Sequence, residues 1–430
     1  MEEKRNRAIL VGLNAHSLKE EDNASDTTLE ELEALLDTAG GACLATVLQN
    51  KDTPDARTFI GEGKVQEVRE LAQRLGADLV VFDNELSPAQ VRVLTEAMGV
   101  QVMDRSALIL DIFAQRARTA EGRLQVELAQ YKYLLPRLTG MWTHLVRQNA
   151  AGGKSPIGTR GPGETQLETD RRHIRRKIQK LEQDLREVRR VRAVQRDRRE
   201  KNEVPVVAIV GYTNAGKSTL LNRLTGSDIP ANDRLFDTLD TTTRTLELTD
   251  TCTVLISDTV GFIRKLPHHL VQAFKATLEE LEYADLLLHV IDASSPEWMA
   301  QAQVVERLIR ELGAEQTPCI RVFNKCDRYS ADILPHGEDI VCISAKTGEG
   351  VKALTDAIAQ RLDEGVQRVK LRLPYDQGGV LDLLYREAKV EQVDYADAIL
   401  VTAVCTPKTL GQVRQYRDPP VKEEKEPWEL

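Results

Sequence analysis

The fold of this chain is decided by residues 206–220, VVAIVGYTNAGKSTL. An apolar run opens the stretch, GYTNAGKS matches the pattern GxxxxGK[ST], and the residues that follow have helical spacing. Glycines at both ends of the motif let backbone N–H groups face phosphate oxygens, and the positive end of the next helix reinforces them. The stretch therefore predicts a strand, a phosphate-binding loop and a helix within a doubly wound, mostly parallel α/β sheet.

Two side chains of this loop have distinct chemistry. Lys217 is expected to reach the β and γ phosphates as a catalytic residue, and the Ser218 hydroxyl is expected to bind Mg²⁺. The candidate nucleotide-binding residues here are Gly211, Tyr212, Thr213, Asn214, Ala215, Gly216, Lys217, Ser218 and Thr219.

A second motif, DTVG at residues 258–261, ends the apolar strand TVLISD. Asp258 is expected to hold the Mg²⁺ shell, while the amide of Gly261 reaches the γ phosphate, so that Gly261 is a candidate catalytic residue. Thr259 and Val260 complete this candidate segment. A lone DxxG is weak evidence, but its place some forty residues after the lysine gives it weight.

Guanine recognition is indicated by NKCD, residues 324–327, which follows the apolar stretch CIRVF. The Asp327 carboxylate can accept from the ring N–H and the exocyclic amine of guanine, whereas adenine would leave this acceptor unpaired. Asn324 is expected at the N7 and O6 edge, with the Lys325 stem over the ring. The candidate base-binding residues are Asn324, Lys325, Cys326, Asp327, Ser344, Ala345 and Lys346.

A threonine-rich segment between the first two motifs is the candidate switch I. Its proposed nucleotide-binding residues are Phe236, Asp237, Thr238, Leu239 and Asp240. Thr238 is our choice for the Mg²⁺ and γ-phosphate contact and a third catalytic candidate, and the threonines at 241–243 remain alternatives. Phe262 follows Gly261, where related switch proteins carry a glutamine that orients water, so we expect slow hydrolysis alone and strong stimulation by a partner.

Charge is distributed unevenly along the 430 residues. The net charge is -9, but residues 171–201 contain 14 Lys or Arg and 5 Asp or Glu, a local charge of +9. A segment of this kind can bind a polyanion, although a solvated coiled-coil face with intrahelical pairs such as Glu182 with Arg186 is an equal alternative. The glycine-rich, cationic residues 139–164 beside it favour RNA.

The alternation of apolar and amphipathic stretches predicts five regions. They are an N-terminal α/β domain (1–104), a long antiparallel helical hairpin (105–202) with a flexible tip (139–164), the P-loop G domain (203–363), a small C-terminal α+β domain (364–417) and a disordered tail (418–430). One helix is expected over about 105–138 and another over about 164–201, with Ile174, Ile178, Leu181, Leu185 and Val188 as its seam. Gly76 and Gly99 are expected to end helices.

The six cysteines show no CxxC pair and no metal-ligand spacing, so we expect reduced thiols without chemistry. The N-terminus lacks the pattern of a secretory signal, and no run approaches the about 18 apolar residues of a membrane span. We expect a cytoplasmic monomer.

The chain resembles the HflX family of bacterial translational GTPases. The resemblance rests on FIGEGKVQEV, GTRGPGETQLETDRR, GYTNAGKSTL, FDTLDTTTR and DTVGFIRKLPHHLVQAFKATLEE, and it covers nearly the whole chain. It implies a GTPase that binds the ribosome, chiefly the large (50S) subunit, and dissociates or rescues stalled or stressed ribosomes. It also implies Thr238 as a Mg²⁺ ligand, although Asp237 and Thr241 depart from the small residue and proline expected there.

The resemblance further implies that the hairpin tip reaches ribosomal RNA. The candidate RNA contacts are Arg147, Gly152, Gly153, Lys154, Arg160, Gly161, Gly163, Arg171 and Arg172. Two other functions remain open: a regulatory protein in which nucleotide only gates contact with another protein, and an ATP-driven RNA remodelling activity of the N-terminal domain.

Overall fold

The computed structural model describes most of the chain. The described residues are 6–138, 162–201, 204–227, 235–236, 242–249, 252–266, 270, 281, 283–328, 335–337, 339–363, 367–375, 377–405 and 407–417. They contain three β-sheets. No helix within these ranges is both long and apolar enough to cross a membrane.

The N-terminal sheet is parallel and has four strands. The strands are β1 (Arg7–Ala15), β2 (Ala42–Lys51), β3 (Leu79–Phe82) and β4 (Gln101–Asp104), and the helices are α1 (Asp26–Thr38), α2 (Glu62–Leu75) and α3 (Pro88–Met98). The strand order is β2-β1-β3-β4. Gly76 and Gly99 adopt φ of 64° and 72° at the ends of α2 and α3, as predicted, because glycine has no Cβ to oppose a left-handed cap.

The prediction of one continuous helix over residues 105–138 is wrong. The chain forms α4 (Arg105–Arg116) and α5 (Ala120–Leu134) instead. Thr119 breaks the path, since its hydroxyl accepts from the backbone N–H of Gly122 at 2.9 Å and so caps the start of α5. Pro136 follows the last residues of α5 and has no backbone N–H to continue the helical hydrogen bonds.

The second long helix, α6 (Pro162–Lys201), begins two residues earlier than predicted. Proline is favoured at the first helical position, so Gly163, predicted in the flexible tip, lies in the first turn of α6. Leu181 and Leu185 are buried against Leu128 of α5, which confirms them as part of the helix seam. The tip residues 139–161 and the tail 418–430 lie outside the described residues.

The central sheet has six strands and carries the phosphate-binding loop. The strands are β5 (Val206–Gly211), β6 (Thr242–Thr249), β7 (Cys252–Asp258), β8 (Leu286–Asp292), β9 (Cys319–Asn324) and β10 (Ile340–Cys342), and the helices are α7 (Lys217–Thr225), α8 (Trp298–Glu311) and α9 (Val351–Asp363). The order is β10-β9-β8-β5-β7-β6, and only β6 runs antiparallel to its neighbour. The predicted motifs therefore converge where parallel strands end at one edge.

The C-terminal unit is a three-stranded antiparallel sheet. It contains β11 (Gln367–Leu373), α10 (Gly378–Glu387), β12 (Ala388–Tyr395), β13 (Ile399–Cys405) and α11 (Pro407–Val413). The order β11-β13-β12 places the last strand in the centre.

One hydrophobic cluster joins the N-terminal sheet to the central sheet. It includes Leu32 of α1, Phe113 of α4, and Phe236 and Phe262 from the predicted switch segments. The rings of Phe113 and Phe236 meet edge to face, with centroids 4.7 Å apart and planes at 84°. The N-terminal unit thus packs directly against the predicted nucleotide switches.

Candidate nucleotide-binding site

The phosphate-binding loop links β5 to α7, as the sequence predicted. At Gly211 an added Cβ lies 2.3 Å from the carbonyl oxygen of Val290, and at Gly216 it lies 2.3 Å from Nδ2 of Asn324. Gly216 also has a φ of 93°, which L side chains rarely adopt. Both positions therefore require glycine, and they leave the loop amides and the N-terminus of α7 free of side chains.

Lys217 is held inside this loop. Its ammonium group donates to the carbonyl oxygens of Gly211 and Tyr212 at 3.2 and 2.8 Å. Burial lowers the pKa of Lys217 to about 8, the Asp258 carboxylate opposes this shift, and Lys325 adds to it. A polyphosphate in the loop supplies the counter-charge that stabilises the protonated form.

Ser218 and Asp258 bring two oxygen ligands together. The Ser218 hydroxyl donates to Oδ2 of Asp258 at 2.6 Å. Asp258 ends β7 and is 1% exposed, and the neighbouring Thr259 hydroxyl donates to the Ile209 carbonyl at 2.7 Å. One carboxylate and one hydroxyl fit the preference of Mg²⁺ for oxygen ligands shared with substrate phosphates.

Gly261 lies against the phosphate-binding loop. A Cβ on Gly261 lies 2.9 Å from Cγ2 of Thr213 and 3.0 Å from Nζ of Lys217. The next residue continues this contact, since the Phe262 N–H donates to the Gly211 carbonyl at 3.1 Å and its carbonyl accepts from Thr213 at 2.7 Å. The Phe262 ring is 1% exposed and belongs to the core, so it has no means of orienting water.

Asn324 connects the phosphate loop to the predicted base-closing loop. Its Nδ2 donates to the Ala215 carbonyl at 2.8 Å, and its Oδ1 accepts from the Ala345 N–H at 2.9 Å. The structure thus shows Asn324 as a cross-link between two loops, and its contact with the guanine edge stays a prediction.

Asp327 and Lys325 are each fixed by a polar partner. Oδ1 of Asp327 accepts from the Ser344 hydroxyl at 2.7 Å, and this hydrogen bond is the main reason that the pKa of Asp327 lies below its usual range. Lys325 adopts a φ of 64°, and its ammonium group donates to Oδ2 of Asp292 at 2.7 Å. Asp292 lies at the end of β8 and belongs to none of the motifs predicted from the sequence.

Four family models match consecutive parts of the chain. They are "GTP-binding GTPase N-terminal" (residues 26–114), "GTP-binding GTPase Middle Region" (116–199), "50S ribosome-binding GTPase" (206–325) and "HflX C-terminal domain" (334–405). The GTPase HflX of Caldanaerobacter subterraneus subsp. tengcongensis is 47% identical, with 95% of this chain and 93% of that protein covered. The chain belongs to the HflX family of GTPases.

The GTPase HflX of Escherichia coli (strain K12) is 45% identical, with 85% of this chain and 86% of that protein covered. A crystal structure of a GTP-binding protein from Sulfolobus solfataricus in complex with GDP is 24% identical and covers 83% of this chain and 98% of that one. The TM-score between the two structures is 0.43. Family membership confirms the predicted P-loop fold and GTPase activity, so this HflX-family chain binds and hydrolyses GTP.

Most candidate pocket residues of this HflX-family GTPase fall within these segments. Asn214 adopts a φ of 61° in the loop, Thr219 lies in α7, and Val260 is buried beside Gly261. Phe236 is buried, with a φ of 55°. The other switch I candidates, Asp237, Thr238, Leu239 and Asp240, lie outside the described residues, and their roles stay predictions.

Arg223 is a site residue that the sequence analysis missed. From α7, its Nε donates to the carbonyl of Ala345 at 3.2 Å, and its guanidinium also bonds to the carbonyl of Lys346. Gly348, at a φ of 94°, lies against the same guanidinium. Arg223 therefore holds the base-closing loop, and an arginine on a helix face offers no sequence signal for that role.

A buried polar network links the pocket to the N-terminal unit. The Tyr212 hydroxyl donates to Oε1 of Glu31 at 2.5 Å and accepts from the backbone N–H of Arg264 at 2.8 Å. Arg105, which is 2% exposed, pairs with Glu31 and Asp83 at 2.8 Å each. The contact between Tyr212 and Glu31 joins residues 181 positions apart, which no local pattern reveals.

Lys265 adds a second cation to this network. Its ammonium group contacts Asp83, and its φ is 53°. Burial lowers the pKa of Lys265 more strongly than Asp83 raises it. The cations Arg105 and Lys265 thus meet the carboxylates of Glu31 and Asp83 between the N-terminal sheet and the segment that follows Gly261. The position of that segment therefore depends on contacts with the N-terminal unit.

Proposed function

We propose that this GTPase binds the ribosome through its large subunit and promotes the dissociation or rescue of stalled or stressed ribosomes. The observation that carries the proposal is the combination of a G domain of the "50S ribosome-binding GTPase" family with an exposed cationic helix, α6. GTP binding favours the ribosome-bound form in this proposal, and hydrolysis times release.

The exposed face of α6 supports an RNA partner. Arg172, Arg175 and Arg176 are exposed, and no carboxylate among the described residues lies within ion-pair distance of them. Glu182, which the solvated-helix alternative pairs with Arg186, instead contacts Lys132 of α5 at 2.8 Å. The cations of this face therefore remain available to phosphate groups, which bind Lys and Arg with release of counterions. Arg171, at the start of this face, is half-buried.

The pocket residues support specific roles in hydrolysis. The loop amides and the Lys217 ammonium group bind the β and γ phosphates, and the Gly261 amide, held against Lys217, contacts the γ phosphate. Ser218 and Asp258, with Thr238, are the proposed Mg²⁺ ligands. When bound, Mg²⁺ neutralises charge that develops on the phosphate oxygens.

The Asp327 carboxylate is proposed to select guanine. Ser344 holds one of its oxygens at 2.7 Å and stabilises the ionised form, so the group is an acceptor at neutral pH. Guanine offers it two donors and adenine none in the same position. Asn324 and Arg223 fix the two loops between which the base lies.

Hydrolysis is proposed to need a partner. Phe262 is sealed in the core and takes the place where a water-orienting side chain is expected. A partner that supplies or orders such a group can raise the rate by roughly 10³ to 10⁵. The ribosome is the partner proposed here.

The test compares two charge-reversed variants in GTP hydrolysis and binding assays with isolated large subunits. Arg172→Glu with Arg176→Glu changes α6, and Arg69→Glu with Arg74→Glu on α2 reverses the same number of exposed charges elsewhere. The α6 variant should bind more weakly, with a salt dependence reduced by about one per removed phosphate contact. Hydrolysis without subunits should be equal in both.

Deleting residues 150–163 tests the predicted hairpin tip in the same assay. The deletion should abolish stimulation by large subunits and keep nucleotide binding. Full stimulation in both the deletion and the α6 variant contradicts the ribosomal role and favours a protein partner gated by nucleotide.

A further inference from the structure

Cys326 and Cys342 meet beside the proposed base-binding segments. Cys326 directly precedes Asp327, and Cys342 ends β10, two residues before Ser344. The backbone N–H of Cys326 donates to the carbonyl of Ile343 at 3.1 Å, so the two segments are hydrogen-bonded next to both cysteines. The sequence separates them by sixteen positions, and their proximity arises from the pairing of β10 with β9.

The two thiols lie in one small apolar cluster, where both pack with Phe323 and Ile340. Each thiol donates to a carbonyl oxygen: Cys326 to that of Phe323 at 3.2 Å, and Cys342 to that of Pro335 at 3.4 Å. Both side chains are partly exposed, so a small oxidant can reach them.

The pair is not symmetrical. Burial raises the pKa of both thiols, and that of Cys326 reaches about 11. The neighbouring Cys326 side chain lowers the pKa of Cys342 and so opposes the effect of burial. Cys342 is therefore the thiol that ionises first, in the same apolar cluster as Cys326. Since the thiolate is the reactive form, the pair reacts slowly at neutral pH and faster as pH rises.

We propose that Cys326 and Cys342 form a reversible disulfide on exposure to a peroxide, and that this bond weakens guanine-nucleotide binding. The Cys342 thiolate attacks one oxygen of hydrogen peroxide, the O–O bond breaks, and the leaving hydroxide takes a proton to become water. The resulting sulfenic acid is attacked by the sulfur of Cys326, the S–O bond breaks, and hydroxide leaves with the Cys326 proton as a second water. Two thiols are oxidised to one disulfide, and one peroxide is reduced to two waters.

The expected effect on nucleotide rests on the proposed role of Asp327 in binding guanine. A disulfide holds its sulfurs about 2.05 Å apart, far closer than two unbonded sulfur atoms can approach. Closing that gap moves the segment of Asp327 relative to that of Ser344, whose hydroxyl holds the carboxylate at 2.7 Å. Transient disulfides of this kind in reducing compartments usually act as redox sensors.

The test uses the full chain, treated with excess hydrogen peroxide, alkylated under denaturing conditions and digested with trypsin. Cleavage after Lys325, Arg328 and Lys346 places Cys326 in residues 326–328 and Cys342 in residues 329–346. The expected product is one linked pair of these peptides, which dithiothreitol separates. In parallel, release of a fluorescent GDP analogue should become about tenfold faster after oxidation, as expected for a weakened hydrogen bond to a charged group, and dithiothreitol should reverse it.

Two variants make the outcome specific. Cys342→Ser should give no linked peptides, and peroxide should leave its rate of GDP release unchanged. Cys319→Ser removes a thiol whose pKa is also about 11 but which packs in a different cluster, and it should keep the full response. Absence of the linked peptides, or a peroxide response that survives in Cys342→Ser, overturns the proposal.

Different results would overturn the disulfide proposal and the proposed base-binding role. A disulfide that forms without changing GDP release overturns the redox proposal and leaves guanine recognition by Asp327 intact. An Asp327→Asn variant with unchanged purine preference removes the base-binding role, whatever the thiols do.

Discussion

Asp83→Asn should loosen the segment after Gly261 far more than Lys265→Met does, although each substitution removes the same ion pair. Asp83 is 1% exposed and accepts from three groups: the Arg105 guanidinium and the Thr28 hydroxyl, at 2.8 Å each, and the Lys265 ammonium group. Asparagine at this position leaves Arg105 paired with Glu31 and removes the ion-pair partner of the buried Lys265.

The two magnitudes differ because the groups left behind differ. Removing one partner from a buried ion pair costs about 3 to 5 kcal/mol, so Asp83→Asn should raise the opening equilibrium at least about a hundredfold. Lys265→Met removes a cation that burial already disfavours, and Asp83 keeps its bonds to Arg105 and Thr28. Because Asp83 stays paired with Arg105 in that variant, no buried charge is left without a partner, and we expect about fivefold or less.

Hydrogen exchange of the Arg264 amide provides the assay. This N–H donates to the Tyr212 hydroxyl at 2.8 Å, and Tyr212 is anchored on Glu31. Its protection in the GDP-bound protein therefore reports on the docking of this segment. Amides of the separate C-terminal sheet should exchange unchanged and control for global unfolding. Equal loss of protection in the two variants, or a larger loss in Lys265→Met, refutes the reasoning.

Three further predictions concern the pocket. The pKa of Lys217 is about 8 and a bound phosphate raises it, so GTP binding should take up a proton above about pH 8. The affinity for GTP should be flat below that pH and fall as pH rises through it. Calorimetry in buffers of different ionisation heat measures the proton uptake, and no uptake at alkaline pH contradicts the prediction. Asp327→Asn should reduce the preference for GDP over ADP by about a hundredfold or more in competition binding, whereas an unchanged ratio excludes its proposed role. Gly216→Ala should weaken GDP binding by about a hundredfold, because the added Cβ displaces Asn324. Gly226→Ala, at a φ of 64° with open space around the Cβ among the described residues, is the matched control and should bind GDP normally.

The nucleotide pocket was largely predictable because its chemistry is local. Close approach of backbone to phosphate requires Gly211 and Gly216 at a fixed spacing, and Lys217 and Ser218 must follow in the first turn of the helix. Apolar runs before each motif placed them at the ends of neighbouring parallel strands. The direction of the sheet then brings these motifs to one edge.

The break between α4 and α5 shows where a periodic pattern misleads. Apolar residues continue at helical spacing across the break, at Phe113, Ala117 and Ala120, but Ala117 is extended and Thr119 caps the start of a new helix. Start and stop signals outweigh periodicity here, because a cap satisfies backbone N–H groups that a helix end otherwise leaves without partners.

The amino-acid sequence by itself determined the phosphate loop, the NKCD motif proposed to bind guanine, the order of the folded units and the basic character of α6, since each depends on residues close together in the chain. Only the tertiary structure decided that Tyr212 bonds to Glu31, that Arg105 and Lys265 share Asp83, and that Cys326 and Cys342 pack in one cluster. These contacts form when separate elements pack and exclude water, so that buried polar groups must find partners wherever the fold places them.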